Sequence, residues 1–82
     1  MDREFVCVKW IDAESSAGWV EEEEVKEAKL PIVSSVGWIV RDDDTLIAIA
    51  QTIGTDDICG VMYIPRNMVQ ETITLVDPRN GE

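Results

Sequence analysis

The sequence predicts an all-β chain, a small five-stranded, strongly bent barrel with a long acidic loop and one short helical turn. Three observations carry this prediction. Short β-branched segments separated by compact turn signals run from Val36 to Leu75. Pro65 is followed by Arg66, Asn67, Met68 and Val69, which fit a single tight helical turn before a last strand. Residues 12–30 are polar and acidic, with too thin an apolar stripe for a long helix.

Each element follows from local pattern. Phe5 and Cys7 alternate with Val6, Val8 and Trp10, giving a first strand that runs to about Ile11. Residues 12–18 break the alternation. Residues 21–30 can form one or two helical turns with Ser16 as a candidate cap, but only Val25, Ala28 and Leu30 are spaced to face a core. Pro31 restricts Leu30 to extended backbone, so the chain approaches the next strand stretched out.

Residues 32–41 form the second strand, with Val36, Trp38 and Val40 on one face and Gly37, Ile39 and Arg41 on the other. A glycine inside a strand marks curvature or a close backbone approach. Asp42, Asp43 and Asp44 make the turn, and residues 46–51 return as a third strand that is apolar on both faces. A turn around Gly54 leads to a fourth strand over residues 58–64, which Pro65 ends because it lacks a ladder donor. A fifth strand covers residues 72–76. Residues 1–76 are one domain, and 77–82 are a polar tail.

Eighty-two residues bury only about 60% of the surface the unfolded chain exposes, so apolar side chains need partners within the domain or across a subunit contact. A homo-oligomer is one expectation. No apolar run is long enough to span a membrane, and Met1, Asp2, Arg3 and Glu4 do not begin a secretory signal. The expected location is the cytoplasm, with Cys7 and Cys59 reduced.

Seventeen acidic side chains against seven basic ones give a net charge of −10, which opposes binding to nucleic acid or anionic lipid. There is no histidine to act as a base near neutral pH, neither cysteine has a basic activator beside it, and the three aspartates lack a calcium-loop pattern. The chain is therefore expected to be no enzyme and to hold no cofactor or metal. Its expected function is binding: Trp19 with Glu21, Glu22, Glu23 and Glu24, extended by Asp42, Asp43 and Asp44, makes an acidic aromatic surface for a protein partner with a basic patch. The alternatives are a nucleotide-like ligand held at a subunit interface by Arg41, Tyr63 and Arg66, and a structural or regulatory role in a phage particle.

Tyr63, Ile64, Pro65, Arg66, Asn67, Met68 and Val69, followed by Ile73, Thr74 and Leu75, resemble the closing segment of Src-homology-3-like barrels and, more loosely, of Sm-like barrels. Residues 37–50 also resemble small proteins of unassigned function from tailed phages. These resemblances imply the barrel closure and a phage source. They imply neither peptide nor RNA binding, because the tyrosine-rich first strand of the one and the basic residues of the other are missing.

Overall fold

The computed structural model describes residues 3–80, and the two residues at each terminus lie outside the description. Five strands form in chain order: β1 (Phe5–Ile11), β2 (Ile32–Asp42), β3 (Leu46–Ile53), β4 (Ile58–Pro65) and β5 (Val69–Thr74). One short helix, α1 (Glu22–Glu27), lies between β1 and β2. Two 3-10 turns, Arg66–Met68 and Pro78–Asn80, precede and follow β5.

All pairings are antiparallel, in the order β4-β3-β2-β1-β5. The sheet is open. Barrel closure requires a ladder between β4 and β5, and none forms among the described residues; these strands are the two free edges. This corrects the expected Src-homology-3-like or Sm-like barrel. The physical reason lies in the edge strands themselves. β5 is only six residues long and keeps Gln70, Glu71 and Thr72 exposed, so it offers the uncharged edge of β4 a short, polar strand to close against.

Alternation sorts the side chains into two faces. Val6 and Val8 of β1, Ile47 and Ile49 of β3 and Ile64 of β4 are fully buried together, with Trp10, Ile39 and Val69 packed around them. Ala48 and Ala50 point to the opposite face and are buried as well, so β3 is covered on both sides. Each of the five large core side chains contributes roughly 1.5–3 kcal/mol by leaving water.

Gly37 fits where no side chain would. A Cβ built on it would stand 2.7 Å from the Ala50 carbonyl oxygen and 3.2 Å from Ile49 Cβ, so the missing side chain lets β2 lie close over β3. Just beyond it, the β2–β3 register slips between Ile39 and Arg41. That bulge at Val40 turns Arg41 onto the face of Trp38, since Trp38 pairs with Ala50 and Arg41 with Ala48. Strict alternation places Arg41 with Ile39 instead, and the slip is its correction.

Beside the sheet stands an arm. Backbone pairing of β1 with β2 continues to Ile11 opposite Ile32 and ends with Asp12 N–H donating to the Pro31 carbonyl at 3.0 Å. Between those residues the chain leaves the sheet, and every residue from Ala13 to Leu30 is exposed. The molecule measures 53 × 26 × 22 Å as a result of this uneven mass.

Candidate functional site

The arm holds the largest set of unpartnered apolar side chains. Trp19 is as exposed as an isolated residue at 104%, and Val20, Val25 and Leu30 are each at least half exposed. The helix α1 buries none of its residues. Its first turn carries Glu22, Glu23 and Glu24, which favour the positive end of the helix dipole, and Lys26 pairs with Glu23 at 3.5 Å. A shallow groove of about 490 Å³ lies along the arm, with Val20, Val25, Ala28 and Leu30 on its walls and Glu14 and Glu24 at its rim.

Trp19 and Glu21, Glu22, Glu23 and Glu24 therefore share one projection, but Asp42, Asp43 and Asp44 do not extend it. The arm joins β2 at Ile32, whereas the aspartates lie at its far end. At about 3.3 Å per residue the two ends are roughly 30 Å apart. Among the described residues no aromatic cluster accompanies the acids either. The close aromatic pair is Phe5 with Trp38 on the sheet, 4.8 Å apart and tilted by 43°. The expected acidic aromatic surface is thus corrected to an acidic arm bearing a single tryptophan.

Asp42, Asp43 and Asp44 instead build the β2–β3 hairpin. Asp43 Oδ1 accepts from the backbone N–H groups of Thr45 (2.9 Å) and Leu46 (3.0 Å), and its Oδ2 accepts from Arg41 Nε at 2.7 Å. The Arg41 hydrogen bond, followed by those from Leu46 and Thr45, holds the Asp43 carboxyl below its ordinary range. Arg66 reaches in from the turn after β4, donating Nε to the Asp43 carbonyl at 3.2 Å and a guanidinium nitrogen to Asp42. Its backbone N–H donates to the Thr45 carbonyl at 3.0 Å.

These contacts bear on the ligand alternative. Arg41 and Tyr63 both border Ala48, so the register brings them to one face, and Arg66 is close to the same hairpin. Both guanidinium groups already face aspartate carboxylates. Tyr63 is 67% exposed.

A second polar cluster lies at the C-terminal tail. The guanidinium of Arg79 stands 5.1 Å from the Trp38 ring centroid and forks onto Asp77, with Nη2 at 2.9 Å from Oδ2. That pairing pulls the Asp77 carboxyl down to about 2 and raises Arg79 above its usual value. Trp38 Nε1 is buried and aids the acidity of Asp77 from nearby, without meeting hydrogen-bond geometry. Arg3, Glu4, Leu75 and Asn80 border a hollow of about 280 Å³ beside this cluster. Nothing in the sequence marks Arg79 as a partner of Trp38, since 41 positions separate them and the tail is uniformly polar.

Cys59 is exposed and Cys7 half-buried, both as free thiols. Among the described residues no three His, Cys, Asp or Glu side chains gather as metal ligands, and no helix is long and apolar enough to cross a membrane. No family model, curated protein or solved structure matches the chain. The resemblances to the two barrel families and to tailed-phage proteins thus have no support from similarity, and the open sheet overturns the two barrel resemblances as well.

Proposed function

We propose that this chain is a non-catalytic binding protein whose acidic arm engages a basic surface on a protein partner. The observation that carries the proposal is the continuous exposure of residues 13–30, apolar side chains included. Single exposed apolar side chains are ordinary, but several gathered on one projection with a polar rim mark a surface that another molecule covers. The segment holds six glutamates (Glu14, Glu21, Glu22, Glu23, Glu24 and Glu27) against Lys26 and Lys29, a net of four negative charges.

The two chemistries divide the work. Trp19 is the largest and most exposed apolar side chain of the arm, and a buried tryptophan is a frequent centre of binding energy. The carboxylates steer encounter with lysine and arginine and penalise acidic surfaces, while adding little stability individually. Asp42, Asp43, Arg41 and Arg66 hold the sheet's far hairpin and are not part of this contact.

The test is affinity capture from a cell lysate with the intact chain and a Trp19→Ala/Glu22→Lys variant, at low and high salt, with thermal melting of both. Partners retained by the intact chain, released by salt and lost by the variant at equal melting temperature support the arm. Identical capture by both chains refutes it. A small ligand retained in native mass spectra of the intact chain favours the nucleotide-like alternative.

A further inference from the structure

We propose that β4 is a self-association edge, pairing antiparallel with β4 of a second copy about a two-fold axis to join two sheets into one. The first ground is charge. Two copies at −10 each repel over most of their surfaces, yet β4, from Ile58 to Pro65, carries no charged residue. The opposite edge differs, since β5 contains Glu71, which faces Lys9 at 3.9 Å. Edge strands are ordinarily protected by charge, proline or bulges; β4 carries no charge, and its Pro65 and positive-φ Gly60 flank residues 61–64 and leave them uninterrupted.

The second ground is uncovered apolar area. Ile58, Met62 and Tyr63 are large, exposed side chains on this one strand. Among the described residues β3 is its sole ladder partner, so its outer side is a free strand edge.

The backbone then selects a register. The Arg66 N–H to Thr45 carbonyl bond fixes which β4 residues turn their peptide groups inward. By antiparallel alternation Ile64 and Met62 bond β3, while Val61 and Tyr63 present N–H and C=O outward. Gly60, with its positive φ, and Pro65, without an N–H, bound the regular edge on either side. A two-fold axis at Met62 pairs Val61 with Tyr63 of the second copy and Tyr63 with its Val61. Those two pairs exchange four hydrogen bonds and place the two Met62 residues directly opposite one another. An edge this short buries less than the roughly 1,200 Å² of a stable complex, so the dimer is weak.

The experiment is sedimentation equilibrium of the intact chain from about 1 μM to about 1 mM, at low salt and at about 0.5 M salt, where repulsion between copies is screened. A monomer–dimer equilibrium that tightens with salt is expected. Val61→Pro removes an outward donor and no ladder bond, and should abolish the dimer. Met62→Cys in a Cys59→Ser background should cross-link on mild oxidation, since non-hydrogen-bonded partners sit at about 4.5 Å between Cα atoms. A monomer throughout the range overturns the proposal. So does a dimer that survives Val61→Pro and fails to cross-link at position 62, or assembly into rings larger than two. If Val61→Pro does not fold, the cross-link and the salt series decide.

Discussion

Replacing Gly37 with alanine tests the close approach of β2 and β3, the contact on which the buried face depends. The added Cβ meets the Ala50 carbonyl oxygen at 2.7 Å, the Ala50 carbonyl carbon at 3.2 Å and Ile49 Cβ at 3.2 Å. Two of these three atoms are backbone and cannot rotate aside. Either β2 moves outward, loosening the Trp38–Ala50 and Ile39–Ile49 pairs, or Ile49 leaves its place in the core. Overpacking of this kind costs about 1–3 kcal/mol, with the upper part of that range appropriate to a backbone clash. Reduced freedom of the unfolded chain returns at most about 1 kcal/mol. The net loss is about 1.5–2 kcal/mol, which in a domain of this size lowers the melting temperature by about 6–16 °C. With an m-value near 1 kcal/mol/M, the urea midpoint falls by about 1.5–2 M. Gly18→Ala is the internal control, because nothing lies within 4 Å of its added methyl group. It should leave the midpoint in place or raise it slightly. Equal midpoints for Gly37→Ala and the parent chain would refute the reasoning.

Two further predictions follow the polar clusters. The Asp77 carboxyl, held at about 2 mainly by Arg79, should titrate near that value by NMR and move up toward the ordinary carboxylate range in Arg79→Ala. A carboxyl depressed on folding contributes stability above its unfolded value of 3.8, and this contribution is lost as pH falls from about 4 toward 2; the variant should show less of that acid-dependent loss, and parallel curves would contradict the pairing. Asp43→Ala removes the acceptor for the Thr45 and Leu46 N–H groups and the partner of Arg41, and should lower the melting temperature more than Asp43→Asn, which keeps an acceptor oxygen for the turn. Thermal melts of the two variants at neutral pH give the comparison.

The first four strands were legible because side-chain alternation is a local property, whereas β5 runs Val69–Thr74 and not over the expected residues 72–76. Val6 and Val8 mark the buried side of β1, the apolar run around Ile47 and Ile49 marks a strand covered on both sides, and Pro65 marks where β4 stops. Closure was not legible. Alternation says which side of a strand avoids water, but it says nothing about whether two distant edges meet, and β4 and β5 have no ladder between them. The bulge at Val40 was equally silent, since Arg41 reads as an alternating position until the register with Ala48 is known. In the arm, the acidity and the weak apolar stripe of residues 21–30 foretold a short helix, and Glu22–Glu27 is six residues long. The pairing of Arg66 with Asp42 and of Arg79 with Trp38 depends on contacts between sequence-distant residues, which no local pattern encodes.

The stem of the arm has a consequence for how such a chain can change. Because Asp12 and Pro31 are already bonded to each other where the strands part, whatever lies between them starts and finishes at a single point. Trimming that insert to a tight turn would relieve roughly 1 kcal/mol of loop-closure entropy and leave the five-stranded platform with its own ladder bonds. The same socket would accept segments of other length and charge, so the insert is exchangeable as one cassette while the supporting scaffold stays as it is.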